Sequence, residues 1–353
     1  MTHTIRSQQA IRAIAIAVSC VASSFAAHAG TEASLYGVAD VYAAYQKGDR
    51  SEFSVDSGGL AGSRIGVSAS HDISPDLKAI AKIEAGVNLD TGTNGQGTGV
   101  IWGRQAYGGL AGGFGSLTLG RQYTLEFNAL DTDDPFDTGA GSAISSGIVT
   151  SLGGVRANNS IVYAAPKFGG FDLSLMAAAG EATAGSTSNG DLFSANLRYS
   201  AGPIGIGLTL SHLNKPVDGD VAASAVLLAG TWDAGSFSLM GGAQAVHNAT
   251  QAANTQDDRT EFFAGARVPV GADEFWLGTG TGSTKHVDGT RATQGSVAWL
   301  HHLDKSATIY AVATTLHNGS ATSFTIDTAT GNGPAVSPGQ DASGLQVGFL
   351  YRF

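Results

Sequence analysis

The sequence predicts an all-β chain that closes into a 16-stranded antiparallel transmembrane β-barrel. Three observations lead there: period-two alternation in segments of roughly ten residues, connections that are short and long by turns, and a composition that averages two unlike strand faces. Of 353 residues, 50 are glycine and only 14% are charged, and the mean hydropathy is +0.05. With 42% hydrophobic residues the chain is too apolar for disorder. Past the N-terminus it lacks the run of about 20 apolar residues that a membrane helix needs.

The first element reads as an export signal spanning residues 1–29. Arg6 and Arg12 precede an apolar run from Ala13 to Phe25, and Ala27-His28-Ala29 offers a small-x-small cleavage site. The barrel is then expected over 30–353. Cleavage removes two of 19 basic residues, none of the 29 acidic ones and the single cysteine, leaving 17 − 29 = −12. Neither a disulfide framework nor thiolate chemistry is then available. A net-acidic exported chain is also a poor nucleic-acid binder.

The strands follow from alternation. Leu77, Ala79, Ala81, Ile83, Ala85 and Val87 share one face, against Lys78, Lys82, Glu84 and Asn88, with Ile80 as the exception. The last segment sets Leu345, Val347, Phe349, Tyr351 and Phe353 against Gly344, Gln346, Gly348, Leu350 and Arg352. Short turns rich in Gly, Pro and Asp fall at 72–76, 110–115, 166–170, 201–203, 233–235, 269–273 and 303–306. Longer polar stretches lie near 46–61, 90–99, 123–155, 181–190, 213–220, 247–258, 285–290 and 318–342. Seven turns and eight loops join sixteen strands. A soluble sandwich rarely needs so many in one domain, and closure into a barrel leaves no edge unpaired, which lipid requires. Tyrosines and tryptophans near strand ends, among them Tyr42, Tyr45, Tyr199, Trp232, Trp276, Trp299, Tyr310 and Tyr351, suit interfacial girdles.

Signatures of catalysis, metal and cofactor binding are absent where they would matter. Gly-x-Ser-x-Gly does not occur. The run Gly278-Thr-Gly-Thr-Gly-Ser-Thr-Lys285 lacks the Gly-Lys pair of a phosphate loop and reads as a small-residue strand. In Asp131-Thr-Asp-Asp-Pro-Phe-Asp137, Phe136 stands where a calcium loop needs glycine. Neither an enzyme nor a bound cofactor is expected.

Several stretches, in order, resemble the Gram-negative general porins, particularly the beta-proteobacterial trimeric type. They are Ser34-Leu-Tyr-Gly-Val-Ala-Asp40, Ser63-Arg-Ile-Gly-Val67, Arg104-Gln-Ala-Tyr107, Gly115-Ser-Leu-Thr-Leu-Gly-Arg-Gln-Tyr123 and Arg156-Ala-Asn-Asn-Ser160. The resemblance covers essentially all of 32–353. It implies an inward-folded third loop, a homotrimer in outer-membrane lipid and lipopolysaccharide, and a water-filled channel for passive diffusion of small hydrophilic solutes and ions. A substrate-selective channel of the same fold, or a structural or adhesin-like barrel, are the alternatives. Phe353 is implied as the barrel assembly signal.

The third loop carries the expected site. Between Arg121 and Arg156 lie 34 residues with five acidic side chains (Glu126, Asp131, Asp133, Asp134, Asp137) and no basic one. By resemblance, Arg64, Arg121 and Arg156 form a basic wall opposite this acidic loop, with a transverse field across the constriction. Lys78, Lys82, Arg198 and Arg267 have polar-face parity and are further lumen candidates. Strict alternation sets Arg121 with Leu117 and Leu119 toward lipid, at a cost of about 2–4 kcal/mol near mid-membrane, so a bulge at Gly120 is expected to turn it inward. The acidic loop and the net charge point to a weak cation preference.

Overall fold

The computed structural model describes residues 30–353, apart from 97–98, 182–187, 218–219, 252–256 and 327–332. The expected export signal lies outside the described residues. Seventeen strand segments follow in order, from β1 (Thr31–Lys47), β2 (Ser51–Ser57), β3 (Arg64–Ser74), β4 (Leu77–Gly86), β5 (Gln105–Gly112) and β6 (Gly115–Tyr123) to β7 (Arg156–Ala164), β8 (Phe171–Ala178) and β9 (Leu192–Ala201). The chain continues through β10 (Ile204–Leu213), β11 (Ala223–Asp233), β12 (Ser238–His247), β13 (Arg259–Val270) and β14 (Asp273–Thr284) to β15 (Ala292–His302), β16 (Ala307–Asn318) and β17 (Ala342–Arg352).

Both β2 and β3 pair with β1, through Val41↔Ser57 and Val38↔Arg64, so together they form one interrupted stave. Sixteen staves result, every neighbouring pair antiparallel. The ring closes where β1 meets β17, from Val38↔Arg352 to Lys47↔Ser343. At this seam the Phe353 N–H donates to the Gly37 carbonyl (3.1 Å), the Gly37 N–H returns the bond (2.8 Å), and the Phe353 ring lies over Gly37, where any Cβ would collide with it. Closure matters physically because backbone groups in hydrocarbon have no water to turn to.

Alternation sorts the side chains as expected, with the solvents reversed. In β17 Leu345 is 52% exposed and faces lipid, whereas Gln346 and Leu350 are buried inward. In β10 Ile204, Ile206, Leu208 and Leu210 face outward, while Thr209 and Ser211 are buried within. The seven short turns all lie at one end and correspond to periplasmic turns.

One expected loop takes a different form. The stretch 46–61 is only a tight turn at residues 48–50. The polar run after it continues as β2 and then as an inward segment over residues 58–63, six residues facing a gap of two in β1. Asp40, at that gap, is fully buried, and its carboxylate accepts from the Tyr310 hydroxyl (2.6 Å) and the Ala61 N–H (2.8 Å). The Ser63 hydroxyl caps the Asp40 carbonyl at 2.9 Å. Such a bulge is stable only because its freed backbone groups find these partners.

A second correction concerns the aromatics. Tyr42, Trp276 and Tyr310 sit in the interior rather than in a girdle, packed with Leu60, Phe136, Ala140 and Leu350. Trp232, Trp299 and Tyr351 do face outward.

Tyr310→Phe leaves one oxygen of a buried carboxylate without its donor. It should lower stability by about 1–3 kcal/mol, read as a lower thermal transition in detergent, with the barrel still formed.

Candidate functional site: the pore constriction

The third loop, residues 124–155, folds into the barrel as expected, beginning with a short helix that the sequence reading did not foresee. Helix α1 (Leu125–Asp133) starts because the Thr124 hydroxyl caps the Phe127 N–H at 3.3 Å, and Glu126 stands in the first turn. It stops at Asp134, which is extended ahead of Pro135. From there the loop crosses the lumen and runs along the inner wall of β11 to β16.

Its attachment has two components. Charged and polar side chains on the wall bind the loop point by point. Arg198 donates to both Asp133 oxygens (2.7 and 2.9 Å) and Thr231 to one (2.9 Å). Arg267 donates to the Pro135 carbonyl (2.9 Å) and to Asp137 (2.6 Å), and its guanidinium lies over Trp276, 4.1 Å from the ring centre. The Thr150 N–H donates to Glu261 (2.8 Å), Gln294 to the Gly141 carbonyl (2.8 Å), and the Ala140 N–H to Gly59 of the inward segment (2.7 Å).

The second component is a track of glycines. A Cβ at Gly278 would stand 2.6 Å from the Phe136 ring, one at Gly280 would strike the Ala143 methyl, and one at Gly282 would stand 2.5 Å from the Ile148 carbonyl. Gly265, paired with Gly278, faces Pro135 in the same way. Alternate residues of a strand share a face, so the Gly-Thr-Gly-Thr-Gly run presents a flat inner strip on which the loop backbone lies.

This docking revises the expected acidic rim. Glu126, Asp133 and Asp134 are buried and do not face the arginines. Glu126 turns back under the loop and accepts from the Leu152 N–H (2.8 Å) and Gln244 (3.1 Å), and Asp134 accepts from the Phe136 (3.3 Å) and Thr138 (2.8 Å) N–H groups. Only Asp131 and Asp137 line the open lumen, and Asp137 is held by Arg267.

The basic wall is revised too. Arg64 and Arg156 do face the lumen, but their third partner is Arg104 rather than Arg121. Arg104 donates to Glu84 (2.8 Å) and to the Tyr123 hydroxyl (2.7 Å), and Arg156 donates to that same hydroxyl (2.8 Å) while lying over the ring (4.4 Å). Arg64 makes no hydrogen bond or ion pair among the described residues, and its buried Nε has no acceptor. Arg104 precedes β5 in a long loop, where alternation has no reach; its one signal was its place in the Arg104-Gln-Ala-Tyr107 motif.

Arg121 stays on the outer face, contrary to the expected rescue. It pairs with Ala106, which pairs with the lipid-facing Ile83. The register shift between β6 and β7 places the extra residue on β7, at Asn158 and Asn159, rather than at Gly120. Arg121 is tolerated because it stands near the loop end of its strand, donating to the Gly103 carbonyl (2.7 Å) and Asn158 (2.6 Å). Of the further candidates, Arg198 and Arg267 are loop anchors. Lys82 lies over the Tyr36 ring (5.1 Å), and Lys78 pairs with Asp72 (3.1 Å) beside the short β3–β4 turn.

Between the loop and the arginines lies an open cavity of about 920 Å³. Five arginines line it (Arg64, Arg104, Arg156, Arg267, Arg352) against three carboxylates (Asp131, Asp137, Glu274).

Comparison with known proteins agrees with this geometry. The Gram-negative porin family matches residues 13–322. The chain belongs to that family. Outer membrane porin protein 32 of Delftia acidovorans is 27% identical over 96% of this chain and 99% of its own length. An outer membrane porin protein of Bordetella pertussis is 29% identical over 54% of this chain and 56% of its own. An anion-selective porin from Comamonas acidovorans shares the fold with a TM-score of 0.82 and 26% identity, covering 92% of this chain and 100% of that one. As a porin, the chain is an outer-membrane barrel whose water-filled channel passes small hydrophilic solutes and ions by passive diffusion. Members of this family are channels rather than enzymes.

Two outcomes follow from the docked loop. Gly280→Val pushes the loop off the wall into the lumen, so single-channel conductance should fall, with an overpacking penalty of about 1–3 kcal/mol. Burial raises the Glu126 carboxyl to about 7, so its neutral form fits the site better than its charged one. Relative to Glu126→Gln, the unmodified porin should lose stability as pH rises from about 4.5 to about 7, by on the order of 3 kcal/mol, and change little beyond; thermal midpoints of the pair across that range read the difference.

Proposed function

We propose that this porin is an anion-preferring channel. One observation carries the reading: five arginines against three carboxylates line the constriction, because the loop's other acids are buried. This replaces the weak cation preference expected from the bare acidic count of the loop. Fixed guanidinium charges in a narrow neck with low-dielectric walls raise the local anion concentration, whereas the net charge of the whole chain is screened beyond about 8–10 Å. Water filling the lumen keeps each arginine–anion contact weak enough for release, which conduction requires. The anion-selective relative from Comamonas acidovorans supports the same reading.

The channel works as a homotrimer with one pore per subunit, set in lipid and lipopolysaccharide, after export has removed residues 1–29. Phe353, half exposed at the seam, serves as the assembly signal.

In a planar bilayer the protein should insert in conductance steps grouped in threes, and a KCl gradient should give a reversal potential on the chloride side. Arg64→Gln with Arg156→Gln leaves three positive against three negative side chains and should abolish the preference; adding Arg104→Gln should reverse its sign. Arg121→Gln, outside the neck, should leave the reversal potential unchanged. A cation-side potential in the unmodified protein overturns the proposal.

A further inference from the structure

A second cavity, of about 490 Å³, opens beneath α1 on the side of the lumen formed by β1 and β3 to β6. It shares Arg64 and Tyr123 with the larger one, so a solute at the arginine cluster can reach it without leaving the channel. Its lining combines two features. Arg64 and Lys82 bring positive charge, and among the described residues neither is bonded to a carboxylate. The one carboxylate present, Glu84, is already bound by Arg104 (2.8 Å) and the Tyr36 hydroxyl (2.7 Å). Among the described residues Lys82 has only the Tyr36 ring as a partner, and the buried Nε of Arg64 has no acceptor. The second feature is aromatic: Tyr36, Tyr107 and Tyr123 all border the cavity and are only partly buried, Tyr123 being stacked on Phe127 and covered by Arg156, so that Tyr107 and Tyr36 offer the rings.

We infer that this cavity is a solute subsite for small aromatic carboxylates. A carboxylate matches the planar donor fork of Arg64 with Lys82 alongside, and a flat ring matches the rings of Tyr107 and Tyr36. The volume lies within the range of ligand pockets, of order 300–1,000 Å³. An aliphatic acid satisfies the charge and leaves the rings in water; a neutral sugar meets the rings and leaves both cations unpaired. An anion with an aromatic body satisfies both. The subsite rests on the anion-preferring reading and gives it a solute class.

The test is single-channel current in KCl with benzoate, cyclohexanecarboxylate or acetate added. Benzoate should depress the chloride current saturably, at about tenfold lower concentration than the other two. Tyr107→Leu and Lys82→Met should each weaken that block by a similar factor, and Tyr107→Phe, which keeps the ring, should retain it. Heat-modifiable gel migration shows that each variant is a folded barrel. Equal depression by all three acids, or an unaltered benzoate block in Tyr107→Leu, overturns the subsite. An anion-side reversal potential without selective block overturns the subsite alone; loss of anion preference in KCl overturns both readings.

Discussion

Asp133 is fully buried inside a membrane barrel, and it is tolerable there because Arg198 grips both its oxygens and Thr231 adds a third bond. This ion pair fixes the end of α1, and with it the point from which the third loop sets out across the lumen. Arg267 takes hold of the next four residues, and Thr150, Gln244 and Glu261 secure the return. A loop without such anchors would pair its backbone groups with the water of the lumen and have nothing to hold it in one place across the channel. The width of the channel is therefore a consequence of electrostatics at the loop's outer edge.

Steric permission matters as much as attraction. Gly265, Gly278, Gly280 and Gly282 let the loop backbone lie flat against β13 and β14, and the inward segment 58–63 meets it from the opposite side through Gly59 and Ala140. That segment is held in turn by Asp40 and Tyr310. The same glycines that made the composition look unusual thus divide into two kinds. Some turn corners; others are an interior surface.

Docking also sorts the charges. A loop with five acidic residues facing a wall of arginines suggests a balanced field, but three of the five are buried. Arg64, Arg104 and Arg156 have no matching set of carboxylates across the gap; Glu84 answers only Arg104, and Tyr123 bridges two guanidiniums without neutralising either. The polarity of the neck follows from which acids serve as anchors, and no count of acids and bases along the chain contains that information.

The wall of this protein was legible in its sequence. Alternation at Leu345 to Tyr351, the seven short turns and the length of the third loop determined sixteen staves, their outward faces and the loop that narrows the channel, because lipid on one side and water on the other impose a local, two-residue period. The neck was legible only in part: Arg64 and Arg156 have the right parity, but Arg104 lies outside any strand, and Arg121 keeps an outward parity that a bulge at Gly120 does not alter. The tertiary structure alone decided that Glu126 and Asp133 turn into the wall and Asp134 into the loop itself, that Tyr42 and Tyr310 face inward, and that 58–63 leaves the sheet. All of these except Asp134 depend on partners more than 20 residues away in the chain, such as Arg198 for Asp133 and Tyr310 for Asp40, and a periodic pattern records which face a residue is on without recording what it meets there.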